Sequence, residues 1–171
     1  MPSTEDAVSD RVYKAAIAVL LLCIAGALVW PYVRSFTLDQ AKLEHVYRSA
    51  KTIEASTGVG LTYAKLYELI QQFATELLIA RDKRPTPREL EMLNRYGEAL
   101  NMYRDSLTLW RIKIDGGSRY VGSADVDRVK DLYQLPVEST GTVDSERGLE
   151  IIWAKALEKL GQGDAIYNGT E

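Results

Sequence analysis

LTYAKLYELIQQFATELLIA (Leu61–Ala80) and RELEMLNRYGEALNMYRDSLTLWRIKI (Arg88–Ile114) carry the periodic pattern on which the fold class rests. In the first, Tyr63, Leu66, Ile70, Phe73, Leu77 and Ala80 step by 3, 4, 3, 4 and 3. In the second, Leu93, Tyr96, Leu100, Tyr103, Leu107, Trp110 and Ile114 step by 3 and 4 throughout. Such spacing places each set on one stripe of a helix, a narrow heptad seam. Between them Asp82-Lys83-Arg84-Pro85 is a polar break. Thr86-Pro87-Arg88-Glu89 then supplies an N-cap, a proline at the first helical position and a box-closing glutamate. The two helices are predicted to fold back as an antiparallel hairpin.

Leu61, Tyr67, Leu69, Leu78 and Ile79 lie off the seam and widen the apolar face of the first partner. That face calls for a second neighbour, either the preceding helix or another protein. The preceding helix is predicted over about 38–56, with Leu43, Val46, Tyr47, Ala50 and Ile53 on one face. Its start is a capping box from Thr37 to Gln40, and its stops are Gly58 and Gly60. At the far end of the second partner Trp110, Ile112 and Ile114 alternate with Arg111, Lys113 and Asp115 before Gly116-Gly117. This pattern admits a short β-hairpin over 110–121, with Arg119-Tyr120-Val121 as its return strand.

Ser123 opens a short helix with Val126, Val129, Leu132 and Tyr133 on one face, ended by Pro136. Pro136–Asp144 reads as a surface loop because it mixes turn formers and polar residues without a period. From Asp144 a last helix runs to about Leu160. Leu149, Ile152, Trp153, Ala156, Leu157 and Leu160 form its stripe, with Gly161 as its stop. The fold class is therefore mainly α: a helical domain over residues 34–161 built on the hairpin, followed by a loose tail over 162–171.

Outward in the other direction, the chain has a loose tail over residues 1–11 and then a different kind of segment. From Ala15 to Trp30 no side chain is charged. At about 1.5 Å per residue Val12 to Val33 reaches roughly 33 Å as a helix, close to the ~30 Å hydrocarbon core of a bilayer. Ala15, Ile17, Leu20, Leu21, Leu22, Ile24, Leu28 and Trp30 mark the span; its strongly apolar members favour insertion by roughly 2 to 5 kcal/mol in sum. Tyr13, Trp30 and Tyr32 sit near the edges, where aromatic rings favour the headgroup zone, and Arg11, Lys14 and Arg34 can snorkel outward. Pro31 ends or bends the helix.

The rival reading is a cleavable signal peptide with Ala25-Gly26-Ala27 as its site; apolar residues continuing through Val29 and Trp30 speak against it. Arg11 and Lys14 just before the run favour a signal anchor with its N-terminus inside and the helical domain outside the cytoplasm. Arg34, Lys42, Arg48 and Lys51 pull the other way. Ala15, Ala18 and Ala25 share a helical face on which a neighbouring span can come close.

Composition narrows the function classes. With 21 basic and 24 acidic residues and a net charge of -3, no basic face is implied and nucleic acid is not expected as a partner. The one cysteine, Cys23, lies in the apolar run, and the one histidine is His45, so neither a Cys-based zinc site nor a multi-histidine centre is available. Asp125, Asp127 and Asp131 form D-x-D-x-x-x-D but lack the glycine turn and closing glutamate of a calcium loop; acidic groups in a first helical turn offset the helix dipole instead. Gly58-Val59-Gly60 and Gly116-Gly117 lack the Lys-Ser/Thr ending of a phosphate loop. No catalytic, cofactor or metal residue is assigned.

Ten tyrosines and three tryptophans carry more information. Tyr63, Tyr96, Tyr103 and Trp110 occupy the seam and read as core. Tyr47, Tyr67, Tyr120, Tyr133 and Trp153 are less constrained and form the candidate partner interface, since amphipathic rings are enriched at such surfaces. The architecture suggests a single-pass accessory or scaffold subunit, bound to the bilayer and to a larger membrane protein complex, energy-transducing assemblies among them. An extracytoplasmic helical sensor or ligand-binding domain is the alternative. An anchored enzyme using carboxylates such as Glu68, Glu76 or Asp105 comes last.

Overall fold

Asp39 starts the first helix, its carboxylate accepting the Lys42 backbone N–H at 3.2 Å. The computed structural model describes residues 38–170, and the expected Thr37 cap and membrane span lie outside them. The Gln40 side chain does not reach back to its own helix start, because it donates instead to the Tyr167 carbonyl at 3.0 Å. Helix α1 (Gln40–Val59) runs past the expected end and is closed by Gly60, whose φ of 90° suits a residue without a Cβ. Helix α2 (Tyr63–Asp82) follows, with the Thr62 hydroxyl accepting from Lys65 N–H at 3.3 Å.

Helix α3 (Pro87–Gly116) opens on the capping box read from the sequence. Thr86 Oγ1 accepts from Glu89 N–H at 3.3 Å, and Glu89 Oε2 accepts from Thr86 N–H at 2.7 Å. Leu66, Ile70, Phe73, Leu77 and Ala80 of α2 are buried against Leu93, Tyr96, Leu100, Tyr103 and Leu107 of α3 in a common core. Tyr63 meets Trp110 edge-on at 6.1 Å and Phe73 meets Tyr96 at 5.8 Å, so the hairpin is antiparallel.

The alternation after Trp110 does not make a strand. Trp110 lies against both Tyr63 and Trp153, the latter at 5.8 Å, and that packing carries α3 on to Gly116, with Ile114 left half-exposed. The expected 110–121 hairpin is thereby corrected. Strand β1 (Tyr120–Val121) pairs antiparallel with β2 (Val143–Asp144), Tyr120 opposite Asp144 and Val121 opposite Val143. The 136–144 stretch is correspondingly more ordered than a plain loop: Val137 bridges Val143, and Glu138 N–H donates to the Thr142 carbonyl at 2.9 Å across a turn with Gly141 at φ 81°.

Between the strands, α4 (Ala124–Tyr133) starts at Ser123 as read from the sequence and is stopped by Gln134 at φ 55°, before Pro136 is reached. Val126, Val129 and Tyr133 are buried, whereas Leu132 faces away. Arg128 and the Tyr133 hydroxyl both bind Asp105 at 2.7 Å and hold α4 against α3.

Helix α5 (Ser145–Asn168) begins at the Asp144 cap and runs straight through Gly161 to a left-handed Gly169 at φ 69°. The loose tail expected over 162–171 is corrected here. Ile166 and Tyr167 are buried in the common core, Tyr167 stacked on Tyr47 of α1, and this tertiary packing overrides a glycine that costs a helix interior only about 1 kcal/mol. Helices α1, α2, α3 and α5 form a ring of antiparallel neighbours, an up-down-up-down bundle. A second core around Leu109, Val126, Val143 and Ile152 lies beneath α4 and the strand pair. Among the described residues no helix is long and apolar enough to cross a membrane.

Candidate interaction surface

A polar cluster at the α1–α5 contact absorbs several of the groups that the sequence leaves free. Gly163 lets the α5 backbone come so close to α3 that a Cβ there would lie 2.3 Å from Tyr96 Cε1. The neighbouring Asp164 accepts the Tyr96 hydroxyl at 2.6 Å and is paired with Lys51, which also meets Glu54 at 2.7 Å. Burial first, and the Asp164 carboxylate second, push the Tyr96 phenol far above its ordinary range, so it stays a donor. Burial opposes the charge on Lys51, but hydrogen bonds to Asp164 and Glu54 outweigh it and raise its pKa. Tyr47 stacks on Tyr167 at 4.0 Å, and the Tyr167 hydroxyl donates to Glu44 at 2.7 Å. Burial and that bond push Tyr167 up to about 12. Every one of these groups is engaged inside the fold, and the cluster clamps α5 to α1.

The five expected interface residues therefore part company. Tyr47 is stacked, Tyr133 is buried on Asp105, and Trp153 donates from Nε1 to Ser106 Oγ at 2.9 Å. Tyr67 and Tyr120 are 51% and 49% exposed. They do not share a surface: Tyr120 lines a recess with Glu138, Thr140 and Thr142 beside the strand pair, while Tyr67 lies on α2.

Tyr67 belongs to a groove between α2 and α3 that the sequence reading missed. One section, about 190 Å³, is lined by Tyr67 and Gln71 of α2 facing Arg104, Thr108 and Arg111 of α3. The next, about 360 Å³, has Ala74, Leu78 and Arg81 facing Gly97, Asn101 and again Arg104. Gly97 opens this part, since a Cβ there would meet Arg81 Nη2 at 2.9 Å. Arg81 rests on the Leu93 carbonyl and Asn94 Oδ1, both neutral, at 3.3 and 3.2 Å. Among the described residues Arg81, Arg104 and Arg111 have no carboxylate partner within ion-pair distance. Glu98 on the groove's edge is already held by Lys159 at 2.7 Å, which keeps its carboxyl below the usual range.

The signal was present in the spacing. Tyr67, Gln71, Ala74 and Leu78 step by 4, 3 and 4, and Gly97, Asn101, Arg104, Thr108 and Arg111 by 4, 3, 4 and 3, one stripe over from each seam. The polar members hide this pattern from a search for apolar periodicity.

The rival sites are scattered. Glu68 pairs with Lys65, Asp105 is held between Arg128 and Tyr133, and Glu76 stands apart on α2, so the three carboxylates do not converge. His45 is exposed on α1, and Asp127 pairs with Lys130. Among the described residues no group of three or more His, Cys, Asp or Glu side chains is arranged to hold a metal ion. Comparison with protein-family models, with curated proteins and with solved structures gives no match for this chain.

Proposed function

We propose that the chain is a single-pass, membrane-anchored accessory or scaffold subunit, which uses its helical bundle to stabilise or assemble a larger membrane protein complex. Residues 12–33 supply the anchor and the bundle stands on the extracytoplasmic side. The observation that carries the reading is the α2–α3 face, where Tyr67 and Leu78 remain 51% and 67% exposed along two adjoining recesses that meet at Arg104. A face of this kind on a stably packed bundle suits a protein partner, because apolar side chains grouped along a groove gain most from being covered. The exposed Tyr67 supplies an amphipathic ring of the type favoured at interfaces.

The test is extraction of the full chain from its native membrane in mild detergent, followed by size-exclusion chromatography and mass spectrometry. Co-elution at fixed stoichiometry with integral membrane proteins is the expected result. Elution as a lone monomer or homodimer overturns the reading, as does release of the chain from the membrane by alkaline carbonate without detergent.

A further inference from the structure

The walls of the α2–α3 groove differ in chemistry. Apolar groups, Tyr67 and Leu78, line the α2 side, whereas Arg104 and Arg111 stand on the α3 side and Arg81 closes one end. The three guanidiniums are not neutralised by any carboxylate among the described residues, and the nearest groove acid, Glu98, is engaged by Lys159. Unpaired cations on one wall of an open groove, with the exposed Tyr67 and Leu78 on the other, attract a ligand that is both acidic and apolar. Length favours a helix: from Tyr67 to Arg81 the groove follows α2 for roughly 21 Å at about 1.5 Å per residue, some four turns. Arg104 and Arg111 are seven residues apart on one face of α3, about 10.5 Å along its axis. Acidic side chains at i and i+7 of an incoming helix have the same spacing.

We propose that this groove docks an acidic amphipathic helix of a partner protein, with apolar residues laid along Tyr67 and Leu78 and carboxylates two turns apart on Arg104 and Arg111. The proposal rests on the reading of the chain as a subunit and names the chemistry of its partner. Neither arginine takes part in the packing of the bundle, so both can be changed without loss of fold.

The experiment uses the full chain in non-ionic detergent and three fluorescein-labelled synthetic 21-residue peptides. One is a helix with a leucine stripe and glutamates at i, i+7 spacing, one has every glutamate replaced by lysine, and one is a scramble of the first. Fluorescence anisotropy should show saturable binding of the acidic helix only. The double variant R104E/R111E, checked for an unchanged melting temperature, should bind it at least about tenfold more weakly, and 0.5 M NaCl should weaken wild-type binding. Equal binding of all three peptides, no binding, or an unaffected double variant overturns the proposal. So does a single-stranded DNA 20-mer that binds as tightly as the acidic helix, since the groove would then be a general polyanion site. If the chain co-elutes with its complex and yet ignores the acidic helix, only the groove assignment fails. If it binds the helix and is extracted alone, only the subunit reading fails.

Discussion

Replacing Gly163 by alanine tests whether the last two turns of α5 are part of the core. The new Cβ would sit 2.3 Å from Tyr96 Cε1 and 2.5 Å from Cδ1, where ordinary contact begins near 3.4 Å, so the ring must retreat by about 1 Å. It has little room to do so. Tyr96 is fully buried, lies edge-on to Phe73 at 5.8 Å and is fixed by its 2.6 Å bond to Asp164. Overpacking costs about 1–3 kcal/mol, and stretching a hydrogen bond to a charged acceptor costs up to about 1.5–3 kcal/mol. Alanine returns about 1 kcal/mol of helix propensity. The net is a destabilisation of about 2 kcal/mol, and at roughly 4 °C per kcal/mol for a domain of this size the melting temperature should fall by about 8 °C.

Gly161, two residues earlier in the same helix, has nothing within 4 Å of its would-be Cβ. There the substitution should stabilise by about 0.5–1 kcal/mol and raise the melting temperature by about 3 °C. Thermal unfolding of both variants and the wild-type chain in mild detergent, followed by far-UV circular dichroism, decides the matter. A Gly163→Ala variant as stable as wild type, or two variants shifted in the same direction, would refute the close approach of α5 to α3.

Two further perturbations probe the polar contacts. Burial alone would raise the pKa of Glu89, but hydrogen bonds from Lys42 Nζ and from the Thr86 and Asp39 backbone N–H groups outweigh it and hold the carboxyl below 4.5. Its folded pKa being the lower one, its contribution is complete above about pH 4.5 and is lost as the pH falls through that lower value. Glu89→Gln should lower stability at pH 7 by about 3 kcal/mol and flatten the decline between pH 5 and 3; parallel stability–pH curves for variant and wild type would contradict this. Tyr133→Phe removes the 2.7 Å bond to Asp105 that helps fasten α4 to α3, and the urea midpoint should drop by the equivalent of about 1.5 kcal/mol; an unchanged midpoint would mean that Arg128 alone holds the contact.

Local rules made the starts and seams legible. Thr86-Pro87-Arg88-Glu89 closes on itself whatever the rest of the chain does, and the heptad steps from Leu66 to Ala80 and from Leu93 to Leu107 bury the side chains they nominate, with Tyr63 half-buried at the start of the first. The Ser123 and Asp144 caps belong to the same class, since the cap and the amides it satisfies lie within three residues. The candidate surface was legible only in part. Tyr67 stood out as an aromatic off the seam, but its partners Arg104 and Arg111 are polar groups on another helix, and no apolar count selects them.

The helical class, the hairpin and the position of its caps were therefore readable residue by residue, because these depend on spacing and on hydrogen bonds between near neighbours. Long-range packing is what carries α3 through Ile112 and Ile114, pairs Tyr120-Val121 with Val143-Asp144, and takes α5 past Gly161. In each case the local preference is worth about 1 kcal/mol or less, and contacts from distant parts of the chain exceed it: Trp153 on Trp110, the Arg119 carbonyl taking both the amide and the hydroxyl of Ser145, and Tyr167 on Tyr47.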